Sequence, residues 1–228
     1  DGGNAAINLY NIDRDRLIVG AAVKNQCSGS YFYGDDPNLE AALQFMEQSY
    51  AATLRSVLAL GYRLNDIDRA VLKRFWLLQY LRTDAASQRF VSMSNDMAEG
   101  IGPSEEEIRL ELRDAVQLSM RTFVNRMDVV DDLKICLVRN SSAVPFVTSD
   151  DPAVMANRWH FVDPRVSKSA FGLGASGCLL ILPLSPTVLC IAYDGDVYSI
   201  SHSNGWTETR RSTDVNAINQ LQFLNCRA

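Results

Sequence analysis

The sequence predicts an α+β fold, with a central block of about three helices packed with a mainly antiparallel sheet and a closing C-terminal helix. Three observations carry this. Short β-rich runs open the chain, apolar residues at helical spacing fill its middle, and β-rich runs return from Leu133 before one last helical stripe. Strands, then helices, then strands and a helix fit α+β rather than the alternating pattern of a parallel α/β sheet.

Taken in order, Ala6–Tyr10 reads as a strand, Asn11–Asp15 as a turn and Leu17–Val23 as a second strand, which suggests a hairpin. Ser28–Pro37 is rich in Gly, Ser, Asp and Tyr and reads as a loop. Pro37 suits a first helical turn, since its φ is fixed and its missing N–H would have no helical partner. Leu39, Leu43, Met46, Tyr50, Leu54 and Val57 then form one stripe, and Gly61 ends it. A second helix runs from a cap at Asp66 through Ile67, Val71, Phe75 and Leu78 to Arg82, and it is apolar around most of its girth. Such a helix belongs in the centre of the fold. Ser104 and Glu107 make a capping box for a third helix that ends near Met127–Asp132, after a polar connector at Ser92–Pro103. Beyond it, Ile135–Val138, Val144–Thr148, Cys178–Leu182 and Val188–Tyr193 read as strands. Asp194-Gly195 reads as a hairpin turn into Val197–Ile200, and Thr213 or Asp214 as the cap of a closing helix through Ile218, Leu221 and Leu224. With no repeat and no low-complexity linker, residues 1–228 are expected to form one domain.

Composition excludes several classes. The chain is 47% hydrophobic and 21% charged, which is ordinary for a globular protein and rules against wholesale disorder. A net charge of -5 argues against a general nucleic-acid coat, although a local basic groove for nucleic acid or another phosphoester is compatible with it. No apolar run approaches the roughly 20 residues of a membrane-spanning helix. Cys27, Cys136, Cys178, Cys190 and Cys226 include no CxxC pair, which excludes the usual zinc ribbon or redox dithiol. They are expected to be reduced core thiols of a cytoplasmic protein.

Several motifs carry no chemistry in their context. Gly172, Gly174 and Gly177 match GxGxxG in form, but the stretch leads into a strand, whereas a dinucleotide loop opens a helix. Asp132-Leu-Lys134 resembles the acid-x-Lys end of a nuclease core, yet it lacks the second acidic residue upstream and reads as a charged helix-to-strand junction. His160 and His202 have no partner at ligand or triad spacing.

Carboxylates and arginines are more informative. Glu40 and Glu47 lie nearly two turns apart on the shoulder of the first helix, so both project from almost the same side. Such a pair can hold a metal, act as acid and base, or form a solvated flank. Gln79, Arg82 and Arg89 follow an almost all-apolar stretch, and a buried guanidinium needs carboxylate partners. Ser149-Asp150-Asp151-Pro152, after the run Val144–Thr148, supplies them, as a site or as a structural clamp.

The same segments resemble a bacterial family, DUF4238, across essentially the whole chain. The resemblance rests on Tyr33, Leu39-Glu40 and Glu47, on Gln79 to Arg82 with Arg89, and on Pro145-Phe146-Val147-Thr148-Ser149-Asp150-Asp151-Pro152. It continues through Leu182-Pro183-Leu184-Ser185-Pro186 to Asn216, Asn219 and Gln220. The family typically opens with a His-Tyr-Val-Pro type motif that this sequence, beginning at Asp1, lacks, and its tail runs past Ala228. The expectation is therefore a chain trimmed at the N-terminus, with a shorter trim at the C-terminus left open.

Together these readings nominate Glu40, Glu47, Asp150 and Asp151 as catalytic residues and Gln79, Arg82, Arg89 and Ser149 as substrate-binding residues. Glu40, Glu47 and Asp150 are the hypothetical ligands of a Mg²⁺ or Mn²⁺ ion. The leading reading is a metal-dependent hydrolase or nuclease, with Arg82 or Arg89 neutralising a phosphate. The alternatives are a non-catalytic binding or interaction module with a structural Arg82–Asp150 ion pair, and a toxin or phage-defence effector.

Overall fold

The structure is a computed structural model that describes residues 6–22, 37–83, 125, 127–158 and 172–226, apart from the side chains of 37–40 and 42. Its elements are β1 (Ala6–Asn11), β2 (Arg16–Ala22), α1 (Pro37–Val57), α2 (Asp66–Arg82), a 3-10 turn (Met127–Val130), β3 (Lys134–Asn140), β4 (Val154–Asn157), β5 (Cys178–Ser185), β6 (Val188–Tyr193), β7 (Trp206–Thr209) and α3 (Ser212–Asn225). Among the described residues, three helices, the last of them C-terminal, and two largely antiparallel sheets make the expected α+β fold. The helix expected from Ser104, the connector before it and the loop over 28–36 lie outside the described residues.

β1 and β2 pair antiparallel as a hairpin of their own. The larger sheet has the order β4-β5-β6-β3-β7, antiparallel throughout except for the parallel pair β3 and β7. Its side chains alternate between two cores, as the period of a strand requires. Ile135, Leu137, Leu180, Leu182, Val188 and Cys190 face a core shared with Leu72, Phe75, Trp76 and Leu78 of α2. Val138, Ile181 and Leu189 face the other way, onto Phe146, Val215, Ile218 and Leu221. The sheet is thus covered on one face by α2 and on the other by α3 with the segment before β4.

α2 is the central helix that its apolar girth predicts, with Leu72, Phe75, Trp76, Leu77 and Leu78 buried. Its polar groups tie it to the sheet. Trp76 Nε1 donates to Ile181 O at 3.1 Å, and Arg69 Nη1 to Ile135 O at 2.9 Å. Lys73 Nζ donates to Asp131 O at 2.6 Å and Leu133 O at 3.2 Å. The Lys73 bonds account for much of the Asp132–Lys134 junction, which is a turn into β3 as expected.

Five expectations differ. Asn65, not Asp66, caps α2, its side chain accepting from Asp68 N at 2.8 Å. Ile67 is exposed rather than part of the buried girth. Val144–Thr148 is no strand, because its backbone bonds to Pro186 O and to the Asn219 side chain instead of to a neighbouring strand. Val197–Ile200 is not a strand either. Val197 N and Tyr198 N both return to Asp194 O, and the chain coils there instead of reversing into a hairpin. Last, the residue at the N-cap position of α3 is Arg211, with no side-chain cap bond. The short strands β4 and β7 were not anticipated.

Cys136, Cys178 and Cys190 are buried free thiols in the large sheet. Burial pushes Cys136 up to about 11 and Cys178 up to about 12, so all remain protonated, inert members of the core. Among the described residues no helix is long and apolar enough to cross a membrane.

Candidate functional site

Helix α2 delivers Gln79, Arg82 and Thr83 to its C-terminal end, and this end organises the candidate site. Arg82 Nη1 donates to Glu47 Oε1 of α1 at 2.5 Å, and Arg82 Nε donates to Gln79 Oε1 at 3.1 Å. The guanidinium carbon also stands 5.8 Å from the centroid of the Phe75 ring, which stacks in turn on Tyr50. Burial pushes the Tyr50 hydroxyl far above its ordinary value, against the opposing pull of Arg82. The ion pair shown for Arg82 therefore joins it to Glu47, not to Asp150 as the sequence suggested. The reason is geometric, since α1 packs against α2 and presents Glu47, from its middle, to the last turn of α2. The pair is half-buried, with 24% of the Arg82 side chain and 53% of that of Glu47 exposed.

One residue beyond Arg82, Thr83 Oγ1 donates to Asp151 Oδ1 at 2.9 Å. Asp151 is wholly buried. Asp150, its neighbour, is exposed. It lies close enough to Cys226 that, after burial, its negative charge is what raises the Cys226 thiol. The two carboxylates of one dipeptide thus face different surroundings, a distinction that the sequence did not draw.

The acidic turn is held from its other side by α3. Asn219 clasps the preceding segment with two bonds, donating to Pro145 O at 2.9 Å and accepting from Val147 N at 3.0 Å. Gln222 donates to Pro152 O at 2.9 Å and accepts from Ser149 Oγ at 3.1 Å. Asn225 donates to Asp151 O at 2.7 Å. The spacing of three places successive amides on one side of the helix. Asn219 was nominated through the resemblance; Gln222 and Asn225 were missed. The available signal was a polar Gln222 in the apolar stripe of Val215 and Ile218.

The turn Ser149–Pro152, the end of α2 and Glu47 of α1 thus share one neighbourhood. The Glu40 side chain, Arg89 and Tyr33 lie outside the described residues. Among the described residues no three or more His, Cys, Asp or Glu side chains gather as a metal site. His202 is exposed and His160 lies outside them. The glycine-rich stretch 172–177 is a turn leading into β5, as its context required.

A family model described as a protein of unknown function, DUF4238, matches residues 2–228. The chain belongs to the DUF4238 family. No curated protein and no solved structure matches it, so no relative lends it a reaction. What brings Glu47, Gln79, Arg82 and the Ser149–Pro152 turn together is the packing of α1, α2 and α3, and their chemistry is argued from that geometry.

Proposed function

We propose that this DUF4238 domain binds a phosphoester at the C-terminal end of α2 and has a hydrolase-like site there. The observation that carries the reading is the state of Arg82. Two of its nitrogens are held by Glu47 and Gln79, while its Nη2 has no hydrogen-bond partner among the described residues. A guanidinium fixed on two sides with donors to spare is pre-organised for an anion, because little side-chain entropy remains to be lost on binding.

In this reading Arg82, with Arg89, neutralises the phosphate, and Glu47 and Gln79 orient Arg82. Exposed Asp150, with Glu40, supplies carboxylate oxygens for Mg²⁺ or Mn²⁺. Such a cation, when bound, neutralises charge on the phosphoryl oxygens and lowers the pKa of a bound water. Asp151 and Ser149 position the turn. A nuclease is the form of this chemistry whose phosphoester belongs to a nucleic acid; a toxin or defence effector would be one of its biological uses.

One observation favours a second reading, a non-catalytic binding module. Asp151, Ser149 and the carbonyls of Asp151 and Pro152 all have internal partners, as a structural clamp requires.

Thermal melting separates the two. Saturating a site at 100 times Kd stabilises by about 2.7 kcal/mol, which for a chain of this size is roughly 5–10 °C. A rise of that order with Mn²⁺ plus a phosphoester analogue, lost in Asp150→Asn and in Arg82→Gln, supports the hydrolase-like site. No rise in the parent chain selects the module instead.

A further inference from the structure

The opposite end of α2 carries a second feature, which lies outside the site just described. The connection between α1 and α2 and the edge strand β7 enclose an open concavity of about 340 Å³, lined in part by Tyr62, Arg63, Arg139, Asn204, Trp206 and Glu208. Its chemistry departs from that of the whole chain, whose net charge is -5. Glu208 is already claimed by Arg210, with Nε to Oε1 at 3.0 Å. Arg63 and Arg139 form no ion pair among the described residues. Although the charge of Arg139 also acts on Glu208, that carboxylate is bonded to Arg210, so the two guanidiniums leave the concavity with an excess of positive charge.

One of them is built into a platform. The guanidinium carbon of Arg139 lies 5.0 Å from the centroid of the Trp206 ring. Register explains the contact, because Arg139 of β3 pairs with Glu208 of β7 in the parallel ladder, placing Trp206 two residues before its partner. A guanidinium laid on an indole presents a flat, cationic surface on which a further planar ring can stack. A peptide added as a strand fits less well here, because Trp206 already exchanges both backbone bonds with Ser203, at 2.8 and 2.9 Å.

We propose that this concavity binds a nucleoside monophosphate group, its base on the Arg139–Trp206 platform and its phosphate neutralised by Arg63. Positive charge selects the phosphate and the platform selects the ring, so neither half of the ligand satisfies the site alone. By helix rise this site stands roughly 25 Å from Arg82, and it does not depend on the hydrolase-like reading.

The test is calorimetric titration of the full chain carrying Arg82→Gln, so that phosphate bound at the far end of α2 does not enter the count. AMP, adenosine and inorganic phosphate are the three titrants. Saturable AMP binding, at least tenfold tighter than either adenosine or phosphate, and weakened at least tenfold by Arg63→Gln, is the expected result. Arg63 is exposed, outside the helix and free of internal bonds among the described residues, so that variant keeps the fold; Arg139→Gln with an unchanged melting temperature gives the same loss. Equal binding of AMP and phosphate overturns the proposal, as does AMP binding indifferent to both arginines, and as does no AMP binding below the millimolar range.

Discussion

Asp68 shows how much of this fold rests on single polar side chains. Its carboxylate accepts from Thr53 Oγ1 at 2.6 Å, from Asn65 Nδ2 at 2.8 Å and from the Tyr62 hydroxyl. Burial alone would raise its pKa, but these three bonds together outweigh burial and hold it below its ordinary 3.8. Reciprocally, burial and then the bond to Asp68 push Tyr62 up to about 12. The sign follows from linkage. An acid whose folded pKa is depressed contributes stability that is present above its unfolded value and lost as pH falls through the folded one. Asp68→Asn should therefore lower the urea midpoint at pH 7, and the gap to the parent should narrow at pH 3. A gap of equal size at both values would mean that charge on Asp68 is not what the network uses. Asn65→Ala, which removes the helix cap, should cost about 1 kcal/mol at pH 7 and somewhat less at pH 3, because Asn65 also donates to the Asp68 carboxylate.

At the scale of elements, what joins the acidic turn to the fold is α3. Gln222 is buried and bonds on both sides of the turn, to Ser149 and Pro152. Gln222→Ala should cost about 1–3 kcal/mol, because it removes two bonds made by a buried side chain and leaves the part-buried Pro152 carbonyl without its partner; Asn219→Ala, at a more exposed position, should cost less. Denaturant midpoints of the two variants check the order. This ladder also shows where sequence reasoning reaches its limit. The long, strongly periodic elements were legible: the hairpin, α1 from Pro37, α2 to Arg82, and the strands around Ile135, Leu180 and Leu189 all stand where apolar spacing puts them. What escaped was decided by partners far away in sequence. Val144–Thr148 has the composition of a strand, but its backbone is claimed by Asn219 and Pro186. β4 and β7 hold four residues each, too few to show a period, and β7 has one apolar residue among Thr and Glu. The candidate site divided in the same way. That the end of α2 lies near the acidic turn was readable from the burial that an apolar helix imposes, but the contact is made by Thr83, not Arg82, and Glu47 as the partner of Arg82 required the packing of α1 on α2 to be known.

The whole molecule sets two polar neighbourhoods at opposite ends of one buried rod. α2 spans 17 residues from Asp66 to Arg82, and its middle is filled by Leu72, Trp76, Leu77 and Leu78, all buried and in one core with the sheet. Close-packed interiors of this kind deform little, and coupling between distant sites needs an element with two discrete arrangements. The described residues show a single arrangement, fixed to the sheet by Arg69, Lys73 and Trp76. The ends should therefore act independently. The Glu47–Arg82 pair is exposed enough that breaking it belongs with surface pairs, at about 1 kcal/mol or less, and not with the roughly 3–5 kcal/mol of a buried pair. Arg82→Gln should lower the melting temperature only slightly, Arg63→Gln less still, and their effects on unfolding free energy should add within about 0.5 kcal/mol, as distant sites do. A double variant that departs from additivity by more than about 1 kcal/mol would show α2 moving as a body. In that case a ligand at the Trp206 platform and one at Arg82 would each change the other's affinity by the same factor.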